Sequence, residues 1–191
     1  MKFQEQESTA RENPRVGTHV ARLVSIIDLG VRAPFMYEGK ETKPTHKFDF
    51  TYELVNSIME DGRPHFVSEE VPNKLTTPEA KKQSKLTMRV QSLQGDLDNP
   101  KSLLGKPCMV EVAIKNEWPR ITNVSGMPEG MPVKELQNSV TFFDLEAPDL
   151  TIFDSIPEYK QKRVKANVNY NGSKLQQALD LQVGTRDDIA F

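Results

Sequence analysis

Apolar and polar positions change period along this chain, and each change marks an element. Residues 19–30, HVARLVSIIDLG, are rich in β-branched side chains and lie between Gly17 and Gly30, which predicts a first strand. Gly30 suits a sharp bend or the end of that strand. Residues 31–46 contain Pro34, Gly39 and Pro44, so a long loop or a ragged hairpin is expected. A second strand follows at residues 47–54, in strict alternation. Phe48, Phe50, Tyr52 and Leu54 face one way, and Lys47, Asp49, Thr51 and Glu53 the other. Asp61-Gly62 is a turn pair, and residues 65–71 make a third strand.

The period then becomes helical. Thr77 offers an N-cap, Pro78 a first helical residue and Glu79 a favourable first-turn charge. Leu86, Val90 and Leu93 recur at helical spacing and Gly95 stops the run, which predicts a helix over 78–93 with a basic flank. A short turn at 102–104 leads to two more strands, 108–115 and 120–125, joined by the hairpin-like Asn116-Glu-Trp-Pro119. The order strand, strand, strand, helix, strand, strand is that of a mainly β, five-stranded OB-fold Greek-key barrel with a helix between strands three and four.

Beyond Gly126 the pattern weakens. A linker-like cluster at 127–132 precedes short extended pieces at 138–145 and 150–153. A helix is expected to open at Asp154 or Ser155 and run to about Val168. Another is expected over 173–181, with a mobile end from Val183. The expected division is a flexible arm (1–15), the barrel (16–126), a C-terminal extension (127–182) and an acidic tip (183–191).

Composition narrows the reading. No apolar run is long enough to span a bilayer, and the N-terminus lacks a signal-peptide core. Cys108 is the single cysteine, so neither an internal disulfide nor a cysteine-based zinc site can form; it reads as a small buried hydrophobe of a cytoplasmic protein. The net charge is −2, with 18 Lys/Arg against 17 Asp/Glu in residues 1–126 and 7 against 10 thereafter. Local clusters matter more than that total, because screening acts over about 8–10 Å. The balance argues against a large, uniformly basic duplex-binding face.

Catalytic signatures are lacking. Neither GxxxxGK[ST] nor GxGxxG occurs, and His19, His46 and His65 have no metal-ligand spacing. A metal-dependent nuclease would need clustered carboxylates with a lysine, and Asp28 with Glu38 and Lys40 is the best available set. No enzyme, metal or cofactor is expected. Single-strand binding asks for less: cations along a groove and aromatic faces for bases. Phe35 and Tyr37 lie beside Lys40 and Lys43 in the first loop, and Trp118 beside Arg120 at the second hairpin. The run Phe48, Phe50, Tyr52 is read as core, with Tyr52 the exception that its hydroxyl makes available to a polar partner. Lys47, Arg63, Lys74, Lys81, Lys82, Lys85 and Arg89 are the other phosphate-contact candidates.

In combination, residues 17–30 (GTHVARLVSIIDLG), 47–54 (KFDFTYEL), 83–86 (QSKL) and 103–108 (LLGKPC) resemble small phage-encoded OB-fold single-stranded DNA-binding proteins. The resemblance covers roughly 16–126. It implies a role in phage replication or recombination, protecting exposed strands in the host cell cytoplasm. The last residues, RDDIAF, resemble the C-terminal tip of bacterial single-stranded DNA-binding proteins, with Ala190 where that tip usually has Pro. Asp187, Asp188, Ile189, Ala190 and Phe191 are therefore expected to dock replication or recombination proteins, acids on basic residues and Phe191 in an apolar pocket. The alternative is an OB-fold adaptor of the replication machinery without substantial DNA affinity.

Overall fold

The computed structural model describes residues 12–77 and 79–187. The chain is mainly β. Strands β1 (Gly17–Arg32), β4 (Thr45–Ile58), β5 (Pro64–Pro72), β6 (Pro107–Lys115) and β7 (Trp118–Ser125) form one antiparallel sheet in the order β5-β4-β1-β6-β7. The outer members β5 and β7 pack against each other, so the sheet rolls up like a barrel. A sixth strand, β8 (Thr141–Phe143), pairs parallel with Ser25–Ile27 of β1. The proline-rich first loop is a small hairpin of β2 (Met36–Tyr37) and β3 (Lys40–Glu41), turned by Glu38 and Gly39 at positive φ.

Helix α1 (Lys85–Leu93) lies between β5 and β6, and a 3₁₀ turn (Pro100–Leu103) follows it. Leu86, Val90, Leu93 and Leu103 join Phe50, Tyr52, Leu54, Val67, Val110 and Val112 in the main core. The helix is shorter than its pattern suggests. Ser84, not Thr77, caps it, its Oγ accepting from Thr87 N, while Thr76 and Ser84 bond the buried Thr87 hydroxyl. That hydroxyl network ties Thr76 to Ser84 and Thr87 at the start of the helix. At the far end Gln94 adopts a left-handed cap, and an added Cβ on Gly95 would meet Leu103 Cδ2 at 2.1 Å.

The extension builds a second core. Its helices are α2 (Leu150–Ser155), α3 (Glu158–Lys165) and α4 (Lys174–Asp187). Phe143, Phe153, Ile156, Val164 and Leu175 pack on Ile27 and Leu29, which point out of the barrel. Strand β1 is therefore buried on both faces through its second half, which is why its apolar run loses the alternation seen in β4.

Several boundaries differ from the sequence-based expectation. Residues 150–153 are helical rather than extended, because the Asp149 side chain caps Thr151 N and Ile152 N. Helix α3 stops at Lys165. From Val183 to Asp187, where an end segment without regular structure was expected, the backbone continues α4. At the other terminus, Glu12 and Asn13 are tied to the barrel: Glu12 accepts from Glu60 N, and Asn13 donates to Glu117 O. Residues 1–11 of the expected arm, and residues 188–191, lie outside the described residues.

Candidate nucleic-acid interface

Alternation on β5 sends His65, Val67, Glu69 and Val71 inward and Phe66, Ser68 and Glu70 outward. On neighbouring β4 the outward set is Lys47, Asp49, Thr51 and Glu53, in cross-strand register with Pro72, Glu70, Ser68 and Phe66. This outer face is not simply solvated. Helix α3 lies over it, and Lys160 Nζ donates to Asp49 Oδ1 at 2.5 Å and to Thr51 Oγ1 at 2.7 Å, the Lys160–Asp49 pair being buried. Glu53, fully buried, accepts from Gln137 N, Asn138 N and Asn138 Nδ2. Each buried carboxylate thus has the compensation it requires.

Three depressions run along this face beside α3. The first, about 190 Å³, is lined by Gly30, Arg32, Lys47, Glu70, Arg163 and Asn167. The second, about 420 Å³, shares Glu70 and Arg163 with it and adds Asp49, Ser68, Glu69, Lys85, Arg120 and Ile121. The third, about 470 Å³, shares Ser68 and Arg120 with the second and adds Thr51, Phe66, Trp118, Pro119, Tyr159 and Lys160. Shared residues place the three side by side in one row, the trough, with the Glu70–Arg163 pair between the first two. Between Phe66 and Glu70 alone the trough follows β5 for roughly 13 Å, at the usual strand rise. The β6–β7 hairpin forms one wall and α3 the other.

One end of the trough is aromatic and the other cationic. Trp118 is 52% exposed and Tyr159 57%, with Phe66 on the floor between their elements. At the cationic end, Lys47 Nζ lies 2.7 Å from Glu70 Oε2 and Arg32 3.7 Å from it, and Arg163 bonds the other carboxylate oxygen. Three cations thus surround one anion. Burial holds the Lys47 ammonium below its usual range, and the positive charges of Arg32 and Arg163 lower it further. The Arg32 guanidinium also lies 4.4 Å from the centre of the Phe35 ring, which links the β2–β3 hairpin to this end.

The structure sorts the expected site residues. Lys47, Lys85, Trp118 and Arg120 line the trough. Phe35 adjoins it through Arg32, and Tyr37, 60% exposed, sits on the same hairpin, with Lys40 in β3 and Lys43 just beyond. Two expectations are corrected. Tyr52 is fully buried and donates its hydroxyl to Glu69, so it has no face to offer a base. Arg89 is buried too: its Nε and Nη2 bond both Glu69 oxygens, which spends its charge inside the protein. Lys85 divides its ammonium between Glu69 and the Glu70 carbonyl but keeps an edge on the trough. Arg63 pairs with Asp61 at the β4–β5 turn, and Lys74, Lys81 and Lys82 stand exposed in the segment before α1; none of these four lines the trough. Of the proposed docking tip, Asp187 ends α4, and Asp188, Ile189, Ala190 and Phe191 lie outside the described residues.

Four trough residues were missed by sequence reasoning: Arg32, Phe66, Tyr159 and Arg163. Arg163 belongs to a basic run, KQKRVK at 160–165, and Tyr159 directly precedes it; the run was readable as charge but not as part of a site about 90 residues from β5. Another cleft, about 290 Å³, opens between α1 and β8 and is lined by Phe48, Leu75, Leu97 and Phe142. Its polar lining is Asp28, Asn73, Asp96 and Asp144, without a cation, which is wrong for a polyanion. Among the described residues, no group of three His, Cys, Asp or Glu side chains is arranged to hold a metal, and no helix is long and apolar enough to cross a membrane. Neither a protein-family model nor a curated protein matches the chain.

Proposed function

We propose that this protein binds single-stranded DNA along the trough, without regard to base sequence and without catalysing a reaction, to protect exposed strands during phage replication or recombination. The observation that carries the reading is a row of adjoining depressions with exposed rings at one end and excess cations at the other. Single-strand binders need that pairing, because stacking supplies about 1–3 kcal/mol per base and cations track the phosphates. The strand order β5-β4-β1-β6-β7, with α1 between β5 and β6, supports an OB-type barrel, whose second and third strands and two bordering loops serve oligonucleotides. Here those parts are β4, β5, the β2–β3 hairpin and the β6–β7 hairpin. Residues 187–191 are proposed, on sequence grounds, as the segment that docks replication or recombination proteins.

Trp118 is the only tryptophan, so its fluorescence reports the aromatic end directly. Titration with oligo-dT is expected to quench it, with much weaker response to duplex. The logarithm of the affinity should fall with the logarithm of salt, by about 0.7 per phosphate neutralised. No response to oligo-dT, or equal affinity for duplex, refutes the proposal.

A further inference from the structure

We infer that Arg32, Lys47 and Arg163 form a fixed subsite for one phosphodiester of the bound strand, with Glu70 as a built-in competitor that occupies it when the strand is absent. The inference rests on the single-strand reading of the trough and adds which phosphate contact is anchored and by what. The three cations come from β1, β4 and α3, far apart in sequence, and meet at one carboxylate. A structural ion pair needs one partner of each sign. Three cations around one carboxylate leave two positive charges uncompensated at the rim of a depression of about 190 Å³.

The depression is shaped by fixed groups. Gly30 forms part of its wall at φ +68°, and a Cβ there would meet Asn167 Cγ at 2.5 Å. Asn167 is in turn held by bonds from Val31 N and Asn169 N. Glu70 is not the only anchor of the extension, since Lys160 on Asp49 and the buried Val164 also dock α3 on the barrel. The carboxylate thus shares the docking of α3 with other contacts and sits where a phosphate oxygen would compete for the same donors.

The two roles of Glu70 predict opposite signs. Removing a competitor should strengthen DNA binding, whereas removing a mere structural pin should weaken it or do nothing. The test is fluorescence anisotropy of labelled oligo-dT over a salt series, on the full-length protein and on Glu70→Gln, Arg32→Gln and Arg163→Gln. Glu70→Gln should tighten binding at low salt by about three- to tenfold, as for one partly exposed charge. Arg32→Gln and Arg163→Gln should each loosen it and reduce the salt slope, by about 0.7 in total for the one phosphate they share. If wild-type protein binds oligo-dT and Glu70→Gln binds equally or more weakly, the subsite is refuted while the trough reading stands. If wild-type protein does not bind oligo-dT, the trough reading itself has failed. Should Glu70→Gln not fold, the Arg32→Gln slope decides: a drop supports the subsite, and an unchanged slope overturns it.

Discussion

Glu69 and Glu70 are neighbours on one strand and lead opposite lives. The pleat turns Glu69 into the barrel, where Arg89, Lys85 and the Tyr52 hydroxyl surround it, and turns Glu70 out to the trough, where Arg32, Lys47 and Arg163 do. Burial pushes the Glu69 carboxyl up, and the bonds from Arg89 and Lys85 outweigh it and hold the group below the ordinary range. Tyr52, sealed beside it, is raised well above the usual phenol range, first by burial and then by the Glu69 charge. Both carboxylates gather cations, so counting ion pairs cannot tell them apart. The surroundings can: inside, Arg89, Lys85 and the Tyr52 hydroxyl match the Glu69 oxygens, and outside, positive charge is left over.

The contrast can be broken first at its inner half. Arg89→Ala leaves Glu69 buried without its bidentate partner and should cost about 3–5 kcal/mol of stability. Urea unfolding followed by far-UV circular dichroism measures this. The buried Lys160–Asp49 pair offers a parallel case: Lys160→Met alone should be strongly destabilising. The double change Lys160→Met with Asp49→Leu should recover most of the loss, because no charge is then left unpaired.

On the outer half the same kind of change should spare the fold and alter binding. Trp118→Ala and Tyr159→Ala should each lose about 1–3 kcal/mol of oligo-dT affinity with little change in the unfolding midpoint, read by anisotropy and thermal melting. A loss of stability as large as that of Arg89→Ala would move these rings from the binding account to the packing account.

The smallest effect sharpens the comparison at a third acid. The His46 ring contacts Asp28 at 2.6 Å, and that hydrogen bond raises its pKa; burial opposes the rise, and the charges of Asp28, Glu146 and Asp144 add to it. A raised folded-state value means the pairing stabilises fully below the unfolded value of 6.5, and its contribution fades as pH climbs through the folded one. The difference in melting temperature between wild type and His46→Gln should therefore be larger at pH 5.5 than at pH 8.5. Cys108, buried and pushed up to about 12 mainly by burial, should stay unreactive to a thiol reagent across that range while the protein is folded.

What the sequence made legible follows from the range of the interactions involved. The inward face of β4 could be read because alternation is local, and Phe50, Tyr52 and Leu54 indeed fill the core. Its outward face misled, since Asp49 and Glu53 are buried by partners 111 and 84 or 85 residues away. The start of α1 was misplaced because Thr77 and Ser84 are both sound caps, and only the tertiary Thr76–Thr87 bonds choose between them. At the site, Trp118, Phe35 and Tyr37 were visible as rings in polar turns, which a core does not need. Tyr159 and Arg163 acquire meaning only when α3 docks across β4 and β5, and no local pattern announces that docking.

The most direct test of where a strand would lie is ultraviolet cross-linking of oligo-dT to the protein, with the attached residues identified by mass spectrometry. Adducts are predicted at Trp118, Tyr159 or Phe66 and on the Phe35–Tyr37 hairpin, and none at Phe50 or Tyr52. Adducts confined to the cleft between α1 and β8, or to the Lys81–Lys82 segment, would contradict the assignment of the trough as the strand's path.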